Sequence, residues 1–151
     1  TGCGQAQTPL EESESSQVQV VDTADPEAAL DAIYQDCEIR GIEKATIRIL
    51  RDKFYINPDQ IVDYYVRYSS GRYGLADVFI LKPEAGEELA VRESLEQVKL
   101  SRIKEFESYD IYNAYQIAQD AEIFSQGGYE IMLMVEDLEA AREAIDQYIP
   151  K

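Results

Sequence analysis

The sequence predicts an α+β fold in which a four-stranded antiparallel sheet, built from two β-hairpins, carries helices on one face. Four short runs of strand-forming residues occur as two pairs, and a glycine-containing turn joins the members of each pair. A longer segment with the apolar spacing of a helix follows each pair. The chain of 151 residues, 45% of them hydrophobic, is long enough for one such domain with a buried core.

The first 22 residues differ in composition from the rest of the chain. They are rich in Gln, Ser, Glu and Thr, and no basic residue occurs before Arg40. A segment this polar and this uniformly charged cannot bury enough apolar surface to fold. We therefore predict a disordered acidic tether over residues 1–22 and a single globular α+β domain over residues 23–151.

The domain is predicted to begin with a helix at Asp25-Pro26-Glu27, where Asp is the N-cap, Pro is the first helical residue and Glu lies in the first turn. Its apolar stripe includes Cys37, which we interpret as a buried and unreactive thiol. Gly41 ends the segment. The next segment, Glu43–Phe54, has mixed apolar spacing, so a helix and a strand are both compatible with it.

Two hairpins are predicted to form the sheet. The first joins Ile61–Ser69 to Ala76–Lys82, and the second joins Ala121–Ser125 to Tyr129–Val135. The second hairpin ends in Met132–Val135, which is apolar on both faces. This pattern indicates a central strand.

Helices are predicted after each hairpin. Glu87–Ser108 is the longest, Tyr109–Gln119 forms a crossover with about one helical turn, and Glu136–Ile149 ends the domain. The order of elements is compatible with a ββα repeat, because Ala90–Gln97 and Ala140–Gln147 match in residue type at most positions. An internal duplication and the convergence of two amphipathic helices both explain this match.

The charge limits the classes of partner. Thirty acidic residues against fourteen basic ones give a net charge of −16. Such a surface is repelled by nucleic acids and by anionic lipid headgroups, so we expect no nucleic-acid partner. No apolar run reaches the length of a membrane-spanning helix. Any attachment to a membrane would therefore be covalent.

The first four residues, Thr1-Gly2-Cys3-Gly4, resemble the end of a bacterial lipoprotein signal. In such a signal peptide, cleavage occurs just before the cysteine, which then carries lipid. The resemblance implies that Cys3 is lipidated and that the membrane is one partner. It also implies that the domain lies on the outer face of the cytoplasmic membrane of a Gram-positive bacterium. The alternative is that Cys3 is an ordinary thiol.

Several short motifs resemble one family. They are Tyr55–Asp59, Ala76–Ile80, Arg102 followed by Phe106–Tyr109, and Gly127-Gly128-Tyr129. Together with the N-terminal cysteine, they make residues 28–150 similar to a family of short lipoproteins from Firmicutes described only as a domain of unknown function, DUF4358. The resemblance implies the same location and fold class. It brings no activity and no cofactor.

No catalytic constellation, metal site or cofactor site is predicted. The chain has no His, which excludes His-based nucleophilic triads, and it has too few Cys for a typical zinc site. Phosphate-binding loops and dinucleotide fingerprints are missing as well. Carboxylates are abundant, and a facing pair would suit glycoside chemistry. A hydrolase or transferase acting on envelope glycans is therefore the enzymatic alternative.

Two charged residues occupy unusual positions. Arg102 lies within the apolar stripe of the longest helix, and Asp77 opens a strand with apolar neighbours. A half-buried Arg needs a carboxylate or carbonyl partner. One interpretation is a structural pair, and the other is an anion-binding Arg in a groove between that helix and the sheet.

The chain contains eleven Tyr. Tyr73 lies in the first hairpin, and Tyr109, Tyr112 and Tyr115 lie in the crossover. Tyr suits both recognition surfaces and half-buried packing. We expect a non-enzymatic module that binds a protein, peptide or cell-wall component through these loops. A further alternative is an inhibitor or assembly factor that docks through a strand edge.

Overall fold

The predicted α+β class is confirmed. The computed structural model describes residues 23–151, so the predicted tether and the lipid attachment at Cys3 lie outside the described residues. The helices are α1 (Pro26–Tyr34), α2 (Ile47–Asp52), α3 (Glu88–Glu107), α4 (Ala114–Gln119) and α5 (Leu138–Tyr148), with a 3-10 turn at Pro58–Gln60. The strands are β1 (Glu43–Lys44), β2 (Ile61–Tyr68), β3 (Asp77–Pro83), β4 (Glu122–Gln126) and β5 (Tyr129–Met134).

The sheet of the described domain has five strands in the order β1-β2-β3-β5-β4, and all neighbours are antiparallel. Both predicted hairpins are present, but the prediction of four strands was wrong. The ambiguous segment supplies the additional strand: β1 pairs Glu43 with Tyr68 at the sheet edge. The chain then turns into α2, where the Thr46 hydroxyl accepts a hydrogen bond from Ile49 N–H at 3.2 Å.

Helices cover both faces of the sheet, so the prediction of helices on one face was wrong. The first face packs against α2, α3 and α4, and the second packs against α1 and α5. The reason lies in β3 and β5, whose side chains are buried in alternation on the two sides. The first face buries Phe79, Leu81, Met132 and Met134, and the second buries Val78, Ile80, Ile131 and Leu133.

The predicted ββα repeat is not confirmed. Strands β3 and β5 are antiparallel neighbours, so a twofold axis relating the two hairpins would run perpendicular to the sheet. Such an axis would keep both following helices on the same face. Helix α3 packs on one face and α5 on the other, which favours convergence as the explanation for their similar sequences.

Helix α1 begins as predicted but ends earlier. The Asp25 carboxylate accepts a hydrogen bond from Ala28 N–H at 3.1 Å, and Pro26 is the first helical residue. The helix ends at Tyr34, and Cys37 follows in a turn, partly buried against the α1 and α5 side of the core. The backbone N–H of Asp25 also donates to the carbonyl of Tyr148 at 2.8 Å, which joins the start of α1 to the end of α5.

Candidate functional site

A cleft of about 680 Å³ opens where β3 begins and β5 ends. Helices α1 and α5 border one side, and the β2–β3 loop and the crossover before α4 border the other. Its volume lies within the roughly 300–1,000 Å³ that small-molecule pockets usually have. The cleft is therefore large enough for an organic ligand or a few residues of a peptide.

The lining combines apolar, aromatic and acidic residues. Tyr73 and Tyr112 present their rings, and Tyr112 is 73% exposed. The apolar lining consists of Ala32, Ile33, Ile39, Leu75, Ala76, Ile117, Val135, Ala140 and Ala141. The acidic lining consists of Asp36, Glu38, Glu136 and Asp137. No Lys or Arg from residues 23–151 lines the cleft.

These acids give the cleft a negative potential. The carboxylate of Asp137 caps α5 by accepting a hydrogen bond from Ala140 N–H at 3.0 Å. Asp36, Glu38 and Glu136 form no ion pair within 4 Å with any described residue. Low-dielectric walls concentrate the field of such unneutralised charges. The charged residues of the lining are therefore all acidic, and the nearest cations shown are Arg40 and Arg72, which lie against the ring of Tyr73.

Tyr34 closes the inner part of the cleft. Its hydroxyl lies 2.8 Å from the carbonyl oxygen of Ala76 and 3.1 Å from that of Arg67, so it links α1 to β2 and to the residue just before β3. Burial raises the pKa of Tyr34 well above its ordinary value of 10.0, and the negative charge of Asp77 raises it further. The phenol therefore remains neutral and serves as a donor.

The Tyr73 ring is held by two cations. The guanidinium of Arg40 lies 4.5 Å from the ring centroid, and that of Arg72 lies 5.6 Å from it. Gly74 follows with φ +132°, and a Cβ there would lie 3.1 Å from the side chain of Ile39. The loop therefore approaches the α1 side of the cleft more closely than most residues at this position would permit.

Arg102 and Asp77 form a buried pair beneath this loop. Arg102 Nε lies 2.7 Å from Asp77 Oδ2, and Nη2 lies 3.1 Å from Oδ1. The side chains are only 3% and 0% exposed. Burial alone would lower the pKa of Arg102, but the charges and hydrogen bonds of Asp77 and Glu105 together outweigh it and raise that pKa. The geometry is that of a structural pair.

The same pair holds both ends of the β2–β3 loop. Arg102 Nη2 donates to the Ser69 carbonyl at 2.7 Å, and Asp77 Oδ1 accepts from Ser69 N–H at 3.0 Å. The Ser69 hydroxyl accepts from Ala76 N–H at 3.1 Å. The two residues singled out from the sequence therefore act on the cleft indirectly, because they position the loop that carries Tyr73.

The other two predicted tyrosines lie elsewhere. Tyr109 is 62% exposed and does not line the cleft. Tyr115 packs against the α3 side of the core, and its hydroxyl accepts from Gln119 Nε2 at 3.1 Å. Of the four predicted tyrosines, the structure brings together Tyr73 and Tyr112.

Sequence reasoning missed Tyr34 and the four acidic lining residues. One signal was available for Glu136-Asp137, because both follow directly after an apolar strand and precede a helix. Within residues 23–151, no three metal-ligating side chains gather into a site, and no helix is both long and apolar enough to cross a membrane.

One comparison with known proteins gives a match. A family model described as Domain of unknown function (DUF4358) matches residues 35–135, well over half of the chain and including most of the cleft lining. No curated protein and no solved structure matches the chain with significant similarity. The chain belongs to the DUF4358 family.

Proposed function

We propose that this domain is a non-enzymatic binding module and that its ligand occupies the cleft. One observation carries the proposal: Tyr73 and Tyr112, from loops far apart in the sequence, line the same 680 Å³ cavity. A concave site with apolar walls and a few polar groups is the usual form of a ligand site. Tyr adds a large contact area at a small cost in conformational entropy.

The two buried carboxylates of the described chain favour binding over catalysis. Asp77 is held by Arg102, and Glu130 accepts from Arg92 Nε at 3.0 Å and from the Ser125 hydroxyl at 2.7 Å. Both carboxylates are bound by partners within the fold, and neither lines the cleft. The hydrolase or transferase alternative would therefore depend on the exposed carboxylates of the cleft.

The proposed location is the outer face of the cytoplasmic membrane, with the domain anchored by lipid on Cys3. The proposal is supported by the Thr1-Gly2-Cys3-Gly4 motif and by the net charge of −16, which opposes adsorption onto anionic lipid. To test it, the protein with its native leader is expressed in a Gram-positive host with a labelled fatty acid. We expect label in the wild type and none in Cys3→Ser, and an unlabelled wild-type protein would contradict the anchor.

Site-specific photocrosslinking tests the binding function. The full chain carries p-benzoylphenylalanine in place of Tyr112 or, as the matched control, in place of the exposed Tyr109, and it is irradiated in native cell envelope. We expect a discrete adduct from position 112 and not from position 109. Equal yields at the two positions, or no adduct at either, would contradict ligand binding in the cleft.

The enzymatic alternative has its own readout. Purified protein is incubated with isolated envelope glycan, and released or transferred sugars are measured by mass spectrometry. The binding proposal expects no turnover. Turnover that Glu136→Gln abolishes would instead establish the carboxylate-dependent reaction.

A further inference from the structure

We infer that the cleft selects an organic cation, namely an ammonium group carried on an alkyl chain. This inference rests on the proposed binding function and specifies the chemistry of its ligand. Both a free alkylamine and a lysine side chain present this chemistry. The charge, the aromatic rings and the apolar walls of the cleft each support it.

The charge of the lining is entirely negative. Four carboxylates border the cleft, no Lys or Arg of the described chain enters the lining, and three of the acids have no ion-pair partner within that part of the chain. A cationic ligand would therefore meet acids that form no ion pair within the described residues, beyond the two guanidinium groups that lie at Tyr73. An anionic ligand would have to enter against them.

One aromatic ring of the lining already contacts cations within this protein. Tyr73 already carries Arg40 and Arg72 near its ring. Tyr112 lines the same cleft, is 73% exposed, and has no guanidinium or ammonium of residues 23–151 within stacking distance. Its ring is therefore available to a cation from outside.

The remaining lining favours an alkyl chain over a bare metal ion. The apolar walls include Ile33, Leu75 and Val135, which offer no ligand to a metal but contact a hydrocarbon chain well. The acids do not gather into a metal-ligating group of three within the described residues. A cavity of about 680 Å³ also far exceeds the size of a single ion.

Cys37 provides a probe, because this free and partly buried cysteine is among the residues that line the cleft. In a full chain carrying Cys3→Ser it is the one remaining cysteine. The reaction rate of Cys37 is measured with two reagents of opposite charge. Aminoethyl methanethiosulfonate is positive, and sulfonatoethyl methanethiosulfonate is negative. Each rate is normalised to that of the urea-unfolded chain. Since charged clefts change local ion concentrations, we expect the positive reagent to react faster by about tenfold or more.

Neutralising the lining should remove this preference. Glu136→Gln combined with Asp36→Asn is expected to lower the rate ratio several-fold. Glu93→Gln is the matched control, because Glu93 is an exposed acid on α3 that does not line this cleft. A wild-type ratio near one, or a ratio unchanged by the double substitution, would overturn the inference.

Ligand selectivity is tested with probes that share one chain length. Pentylamine, pentan-1-ol and pentanoate are compared for their ability to slow alkylation of Cys37 by uncharged iodoacetamide. Nα-acetyl-lysine amide distinguishes a lysine side chain from a free amine. We expect the amine, the lysine derivative or both to protect Cys37, and the alcohol and the acid not to. Tyr112→Ala should weaken protection by about threefold, and Tyr109→Ala should leave it unchanged.

The outcomes separate this inference from the proposed function. If pentan-1-ol or pentanoate protects Cys37 as well as the amines do, the cation preference is overturned, while binding in the cleft stands. If no probe protects Cys37 at about 10 mM, roughly ten times a millimolar dissociation constant, the inference is also overturned. If photocrosslinking from position 112 also gives no adduct, the proposed binding function is contradicted as well.

Discussion

The two loops that bring Tyr73 and Tyr112 to the cleft are held in opposite ways. The β2–β3 loop is fixed at both ends by the buried pair of Arg102 and Asp77, and its ring is held by Arg40 and Arg72. The crossover loop lies on the surface, and its hydrogen bonds are local: Ala114 N–H donates to the Ile111 carbonyl at 2.9 Å. The β2–β3 loop is thus held by interactions across the fold, and the crossover by local hydrogen bonds, including one from Tyr115 N–H to the Asp110 carboxylate.

The crossover also adopts a backbone conformation that side chains disfavour. Tyr112 and Asn113 have φ values of +51° and +64°, in the left-handed region. These two residues directly precede α4, and Tyr112 lines the cleft. Under the proposed binding function, the fixed loop would set the shape of the cleft, and the exposed loop would supply the contact that a ligand can adjust.

The largest effect is expected from breaking the buried pair. Arg102→Met leaves the Asp77 carboxylate buried without its counter-charge, with hydrogen bonds from Ser69 alone. This should lower the free energy of unfolding by about 3–5 kcal/mol in urea denaturation. Amide exchange should accelerate in residues 69–76 and not in the crossover. The double variant Arg102→Met/Asp77→Leu should recover part of the loss. The exposed Arg51→Met is the control, and a single Arg102→Met variant as stable as the wild type would contradict the account.

Removing the Tyr34 hydroxyl loosens the fixed loop from the opposite side. Tyr34→Phe should cost about 1–2 kcal/mol, because two buried carbonyls lose a shared donor. The pKa of Tyr34 is raised above its unfolded value of 10.0, so its contribution is full below about pH 10 and falls as pH rises further. The stability difference between wild type and variant should shrink above that pH. A stability difference that grows above about pH 10 would contradict the role of the neutral Tyr34 hydroxyl as a hydrogen-bond donor.

A smaller effect is expected in the crossover backbone. Asn113→Ala places a side chain less tolerant of positive φ at +64° and should cost about 1 kcal/mol. Asn113→Gly, which removes the steric penalty, should change the unfolding free energy by less than about 0.5 kcal/mol. Both are measured by thermal and urea denaturation. Equal losses in the two variants would show that the Asn side chain, and not the backbone, matters here.

The smallest effect on stability is expected at Tyr112 itself. The side chain is 73% exposed, so Tyr112→Ala should change the unfolding free energy by less than about 0.5 kcal/mol. Tyr73→Ala should cost about 0.5–1 kcal/mol, since it loses the stacked Arg40. A larger loss of unfolding free energy in Tyr112→Ala than in Tyr73→Ala would contradict the conclusion that the β2–β3 loop is the more firmly held of the two.

Local features of the fold could be predicted from the sequence because their causes are local. The capping of α1 by Asp25 and the two hairpins with glycine turns depend on neighbouring residues. The two-residue strand β1 is too short for any periodicity to reveal. The error about helices on one face was avoidable, because Met132–Val135, apolar on both sides, requires cover on both sides.

The site was less predictable because its causes are distant in sequence. Tyr34 meets its carbonyl partners 33 and 42 residues away, and Arg102 meets Asp77 across 25 residues. Composition singled out tyrosines, and the unusual positions of Arg102 and Asp77 singled out the pair. Only the topology decides that Tyr73 and Tyr112 share a cleft while Tyr109 does not.

The hydrogen bond between Asp25 and Tyr148 has a mechanical consequence. Tension applied to the chain at Thr23 would enter α1 first and reach α5 through this junction, ahead of the central strands. Because α1 and α5 together border one side of the cleft, pulling on the N-terminal side would deform the cleft before it unfolded the sheet.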